Sequence, residues 1–208
     1  LKQNKLEDAR ESFNRAVKLP SSYPSTLPNA WNNLGLIATR QNQIAEAIPY
    51  FQEALKLSPD YPVALNNLGN AFRQQKRWEE ARKVLEHAVD VNPEDPEANY
   101  SLGMVFAQLD QNEHANEYLQ RALKFRPVYP EALNNLGILY LRTSQTEKAV
   151  ASFQECIRVA PDFDQSYLNL ARVYALQHNP EKARAVLLDL LARRPENVSA
   201  QELLRQMP

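Results

Sequence analysis

Five positions spaced by 34 residues hold short polar side chains: Asn33, Asn67, Ser101, Asn135 and Asn169. A carboxamide carries two N–H donors and an acceptor oxygen, so one asparagine can pair with both groups of a peptide unit. Asparagine is a mediocre helix former, and its recurrence in helical sequence calls for a use beyond propensity. A ladder of such amides at a regular rise would hold an extended chain by its backbone, largely irrespective of that chain's sequence. The competing reading is local, with the asparagines serving contacts among the helices themselves. Other reactive side chains do not assemble. His87, His114 and His178 fall at different points of the 34-residue frame, so they converge neither on a metal nor as a base. Cys156, the single cysteine, stands in a column of alanines and reads as a small buried residue. Trp78-Glu79-Glu80 reads as a solvated helix start favoured by the helix dipole. No catalytic constellation, metal or cofactor is expected, and the chain reads as a non-enzyme.

The elements that must position the asparagines follow from the same frame. The four glycines are Gly35, Gly69, Gly103 and Gly137, each 34 residues from the next, and a further step reaches Ala171. Self-similarity at such a period is the signature of a repeat array. Twelve residues after each small residue stand Ala47, Ala81, Ala115, Ala149 and Ala183; twenty-four after stand Pro59, Pro93, Pro127, Pro161 and Pro195. Every glycine thus belongs to the packing frame, and none remains for a phosphate-binding loop. Each unit reads as two helices, with apolar residues at i, i+3, i+4 and i+7, joined by a polar turn around Asn42, Lys76, Asp110, Ser144 or His178. The second helix must stop before the repeated proline, which lacks an N–H and disfavours α geometry in the residue before it. Pro62, Pro96 and Pro130 fit the opening of the next helix, and Pro180 opens another behind Asn179 as N-cap. Pro49 falls inside a second helix and should kink it. The small column at Gly35 and its equivalents is expected to meet the Ala47 column, with Leu34 and Phe51 and their equivalents filling the space around them.

These residues resemble the tetratricopeptide repeat family, a 34-residue helix–turn–helix with Trp/Leu, Leu-Gly, Tyr, Ala, Phe, Ala and Pro at set offsets. Trp31-Asn32-Asn33-Leu34-Gly35, Leu65-Asn66-Asn67-Leu68-Gly69 and Leu133-Asn134-Asn135-Leu136-Gly137 carry the signature. The match covers five units, 28–61, 62–95, 96–129, 130–163 and 164–197, or 170 of the 208 residues. The turns depart from the family pattern in lacking its frequent glycine. Residues 1–27 read as a partial repeat, its second helix alone, followed by a longer linker; 198–208 read as a C-terminal capping helix. The resemblance implies an all-α, right-handed α-solenoid of stacked antiparallel helix pairs, with first helices lining a concave groove. In that frame the asparagine column resembles the ladder lining the repeat superhelix of O-linked N-acetylglucosamine transferase.

The groove is expected to hold Asn33, Asn67, Ser101, Asn135 and Asn169, flanked by Asn32, Asn66, Tyr100, Asn134 and Leu168 and then by Leu36, Asn70, Met104, Ile138 and Arg172. Arg40, Arg73 and Arg142 would line its far edge, and Glu97 and Glu131 its near edge. The two-carboxylate clamp that some repeat proteins use for chaperone C-termini is excluded, because Val63, Glu97 and Glu131 stand in its lysine column. Composition agrees with a protein-binding role. The 24 Lys and Arg balance 25 Asp and Glu, so the basic excess of a nucleic-acid binder is missing. No apolar run approaches the 18 or so residues of a membrane span. The opening LKQNKLEDARESF lacks an initiator Met and an apolar signal segment, so the chain reads as a fragment with the cytoplasm as its default compartment. The expected function is a scaffold binding an extended peptide or partner segment in the groove. The alternative is a self-associating structural array, or the recruiting arm of a larger multidomain protein.

Overall fold

The computed structural model describes residues 2–18 and 26–207. The described residues form α1 (Lys2–Lys18), α2 (Leu27–Arg40), α3 (Ile44–Leu57), α4 (Pro62–Gln74), α5 (Trp78–Val91) and α6 (Pro96–Gln108). They continue with α7 (Asn112–Phe125), α8 (Pro130–Arg142), α9 (Thr146–Val159), α10 (Asp164–Leu176), α11 (Pro180–Arg193) and α12 (Val198–Arg205). The fold is all-α and built of consecutive helix pairs, the class expected. Two compact units divide it, Leu1–Gln111 and Asn112–Pro208. In the first, α2 packs on α3 and α4 on α5, with α4 also against its first-helix neighbours α2 and α6. In the second, α8 packs on α9 and α10 on α11, and α12 closes against α11. The longer linker expected before Pro28 lies largely outside the described residues, as do the side chains of Leu6 and Ala16.

Proline sets the helix ends. α3, α5, α7, α9 and α11 each stop two residues before Pro59, Pro93, Pro127, Pro161 or Pro195. Pro62, Pro96, Pro130 and Pro180 open helices, where a missing N–H costs nothing. Asn179 caps α11 by accepting from the Lys182 N–H at 3.1 Å, and Asp95 caps α6 by accepting from Glu97 N–H at 2.8 Å. Pro49 lies inside α3, as its place in the frame predicts, and the helix continues through it. The carbonyl that Pro49 leaves without a donor belongs to Ala45, an exposed residue within reach of water.

Each three-residue turn inside a pair is a Schellman closure. The N–H of the turn's last residue donates back across it, as from Gln43 to the Ala38 carbonyl at 2.8 Å and from Asn179 to that of Tyr174 at 2.9 Å. The middle residue must then be left-handed, and Asn42, Lys76, Asp110, Ser144 and His178 all have φ between 56° and 60°. The helical glycines answer a different need. A β-carbon at Gly35 would lie 2.4 Å from the Phe51 ring, and one at Gly69 would lie 2.4 Å from Leu85 Cγ. The nearest neighbour of the small column is therefore the large Phe51/Leu85 column, which the sequence reading placed around the glycine and Ala47 columns. Phe51, Leu85 and Phe153 are all essentially inaccessible, so the large side chain fills the space that the glycine leaves. Cys156 is buried in the alanine column, its thiol donating to the Pro130 carbonyl at 3.4 Å. Burial pushes that thiol above its ordinary ionisation range.

Candidate functional site

The asparagines separate into two populations on the first helices. Adjacent helical residues point about 100° apart, since a turn takes 3.6 residues. Asn32, Asn66 and Asn134 therefore face inward and are buried, at 2%, 7% and 4% exposure, while Asn33, Asn67, Asn135 and Asn169 are half-buried. Ser101 is also buried. Asn32, Asn66, Ser101 and Asn134 are thus largely taken up within the helix layer, Asn134 also bordering the α8–α10 cleft, whereas the sequence expectation put all four in the groove. Asn70, Tyr100 and Arg73 are half-buried, and Arg142 and Arg172 are exposed.

In the first unit a chain of side-chain hydrogen bonds ties α2, α4 and α6 together. Asn67 Nδ2 donates to Asn32 Oδ1 at 2.9 Å. One helix further, Ser101 is too short to repeat that bond, and Asn70 bridges the gap. Ser101 Oγ donates to Asn70 Oδ1 at 3.0 Å, and Asn70 Nδ2 donates to Asn66 Oδ1 at 3.1 Å. Arg73 Nε also donates to Asn70 Oδ1, at 3.1 Å. A buried carboxamide oxygen without a donor costs about 1–3 kcal/mol, so these bonds are what allow Asn32 and Asn66 to be buried.

The second unit repeats the first link. Asn169 Nδ2 donates to Asn134 Oδ1 at 2.9 Å across the same 35-residue separation, and Ser166 Oγ adds a donor to that oxygen at 3.2 Å. Asn135 Nδ2 donates to the Glu131 carbonyl at 2.8 Å, and Arg172 Nη1 reaches Asn169 Oδ1 at 3.3 Å. Between α8 and α10 these residues border a cleft of about 330 Å³, with Ile138 and Leu168 as its aliphatic members. Ile138 is 44% exposed, and Leu176, two turns beyond Leu168 on α10, is 78% exposed.

Sequence reasoning missed Ser166, whose role depends on a neighbour 32 residues away. It also missed Asn99, fully buried in a column otherwise held by Trp31, Leu65, Leu133 and Tyr167. Asn99 Nδ2 donates to the Pro93 and Asp95 carbonyls at 3.0 and 2.8 Å, fastening the linker to α6. The polar residue interrupting an apolar column was the available signal. A second cleft, bordered by Asn116, Gln120, Tyr140 and Lys148, lies among α7, α8 and α9. There Gln120 Nε2 donates to the Tyr140 hydroxyl at 3.2 Å, and one period later Gln154 Nε2 donates to Tyr174 at 3.1 Å. These pairs join a second helix to the next first helix and satisfy hydroxyls on mostly buried rings. Among the described residues no group of three His, Cys, Asp or Glu side chains is placed to hold a metal ion.

Models of the tetratricopeptide repeat match residues 38–105 and 143–207, and further models of the same repeat match 1–62, 96–129 and 118–151. No curated protein matches at a significant level. Solved structures are similar in fold. PilF of Pseudomonas aeruginosa is 22% identical with a TM-score of 0.78, over 99% of this chain and 91% of that one. YrrB, a tetratricopeptide repeat protein with an unusual peptide-binding site, is 23% identical with a TM-score of 0.70, over 94% and 99%. MamA of Desulfovibrio magneticus RS-1 is 19% identical with a TM-score of 0.73, over 82% and 97%. At these identities the likeness is one of fold.

Proposed function

The chain belongs to the tetratricopeptide repeat family, generally scaffolds for protein–protein interaction and typically non-catalytic, and we propose that it binds an extended partner segment along the exposed faces of its first helices. The observation that carries this reading is unused pairing capacity beside exposed aliphatic side chains. Asn169 spends one N–H on Asn134 and keeps its second, and it borders the same cleft as exposed Ile138. Ile138 and Leu176 stand exposed on first helices of the second unit. A carboxamide with capacity to spare and an aliphatic neighbour are the two things an extended peptide needs, one for its backbone and one for a side chain. The half-buried column at 33, 67, 135 and 169 resembles the asparagine ladder of O-linked N-acetylglucosamine transferase. A backbone grip of that kind is the part of the resemblance this reading adopts. Peptide binding by YrrB belongs to YrrB and serves here only as a precedent on the same fold.

Because the asparagines also hold the helices together, the test should leave them intact. A photo-crosslinking residue is placed at Ile138 on α8 or at Leu188 on α11, both exposed, and the chain is incubated with a random dodecapeptide library. The proposal expects adducts from position 138 and few from 188. Adducts from 188 alone would move the site to the second helices, and adducts with a second copy of the chain would support self-association instead.

A further inference from the structure

The arginines of this chain divide by location. Five on second helices and turns are ion-paired: Arg77 with Glu80, Arg82 with Glu79 at 2.9 Å, Arg158 with Glu155 at 2.6 Å, Arg193 with Asp189 at 3.3 Å and Arg194 with Asp164 at 3.2 Å. Arg73 and Arg172, on first helices, have no carboxylate within ion-pair distance among the described residues. Each rests on a neutral amide oxygen instead, of Asn70 or Asn169. Arg73 occupies the last turn of α4, where the helix dipole welcomes a cation. Arg172 lies in the body of α10, away from its last turn, so neither a carboxylate nor a helix end offsets its charge. None of the residues bordering the α8–α10 cleft is acidic, and Arg172 is the one cation among them.

We propose that the α8–α10 cleft selects an extended peptide segment pairing an acidic side chain with an aliphatic one, the carboxylate on the Arg172 guanidinium and the aliphatic group against Ile138 and Leu168. This rests on the first-helix reading above and names its ligand chemistry. Asn169 occupies only Nη1 of Arg172, and a guanidinium has five N–H donors, so an edge remains for two parallel bonds to a carboxylate. Liquid water occupies about 30 Å³ per molecule, so a cleft of about 330 Å³ admits side chains and not water alone. Burying exposed Ile138 under an aliphatic group removes apolar surface from water, which favours the bound state. A basic segment would meet an unpaired cation and no anion, which supplies the discrimination.

The test is selection from a phage-displayed random dodecapeptide library on the whole chain, as native protein, as Arg172→Glu and as Ile138→Asp, with circular dichroism verifying that each is folded. Both side chains are exposed, so both variants should fold. The native chain is expected to enrich peptides joining Asp or Glu to Leu, Ile or Val. Arg172→Glu should turn that acidic preference basic and weaken a synthetic acidic–aliphatic peptide about tenfold. Ile138→Asp should remove the aliphatic preference. If the native chain enriches peptides without acidic bias, Arg172→Glu changes nothing and Ile138→Asp still abolishes capture, the ligand chemistry is wrong and the first-helix site stands. If no peptide is enriched, or Ile138→Asp leaves enrichment unchanged, both readings fall.

Discussion

The first-helix layers of the two units share one bond and differ in what surrounds it. Asn67 donates to Asn32 in the first unit and Asn169 donates to Asn134 in the second, both at 2.9 Å. One turn beyond the buried asparagine, the layers part. In the first unit that position on α4 is Asn70, which is consumed internally by bonds to Asn66, Ser101 and Arg73. In the second it is Ile138 on α8 and Arg172 on α10, an exposed aliphatic group and a cation without a carboxylate. The same helical frame therefore presents a self-satisfied amide surface in one place and an unpartnered apolar and cationic surface in the other. The recurring asparagines tie first helices to one another, and on the reading proposed above the residues one turn away supply the recognition.

That comparison has a shared part and an unshared part, and mutations can separate them. The largest expected effect concerns the shared skeleton. A β-carbon at Gly69 would lie 2.4 Å from Leu85 Cγ, and one at Gly137 would lie 2.5 Å from the Phe153 ring. Gly69→Leu and Gly137→Leu should each destabilise by about 1–3 kcal/mol through overpacking. Segment-resolved hydrogen exchange would report the loss over α4–α5 in one case and α8–α9 in the other. A loss in one unit only would break the claim that the skeleton is common.

The next effect is unequal between the units. Asn67→Ala leaves Asn32 Oδ1 buried with no other side-chain donor among the described residues, at a cost of about 1–3 kcal/mol. Asn169→Ala leaves Asn134 Oδ1 the Ser166 hydroxyl, so its cost should stay near 1 kcal/mol or below. Urea unfolding of the two variants, with Asn169→Ala/Ser166→Ala as a third, measures the difference. Adding Ser166→Ala should bring the second unit's loss up to that of Asn67→Ala. Equal losses in the two single variants would remove the asymmetry.

Much of the fold was legible because its signals are local or periodic. The prolines mark helix ends by a missing N–H, Asn179 caps α11, and the 34-residue frame gives the helix pairs. What was not legible depends on direction. The sequence pairs Gly35 with Ala47, and which side chain reaches the glycine most closely, the Phe51 ring, depends on side-chain direction. Likewise Asn32 and Asn33 stand side by side in the chain, and both suit a groove. The helical turn of about 100° per residue allows only one of them to face outward, and the next helix decides which. The bridge from Ser101 through Asn70 to Asn66 was illegible for the same reason, since a side chain one atom too short is rescued by a neighbour from another helix.

The turns offer the smallest and most evenly distributed test. Asn42, Lys76, Asp110, Ser144 and His178 hold a left-handed backbone that costs an L-residue roughly 1–2 kcal/mol, less for Asn and Asp, whose side chains bond locally. Glycine removes that strain but loses about 0.4–1 kcal/mol to the greater freedom of its unfolded chain. Lys76→Gly and His178→Gly should therefore stabilise by about 0.5–1 kcal/mol each, and Asn42→Gly should be close to neutral. The units differ here too. The first has one residue of the less tolerant kind, Lys76, between Asn42 and Asp110, while the second has Ser144 and His178. Combined Ser144→Gly/His178→Gly should raise the urea midpoint more than Lys76→Gly alone, with an unchanged m-value because the surface exposed on unfolding is the same. A rise with Asn42→Gly as large as with Lys76→Gly would show that the side chain's local bonding does not ease the left-handed turn. The strain would then belong to the backbone of every turn alike, and glycine would be the better residue at all five positions.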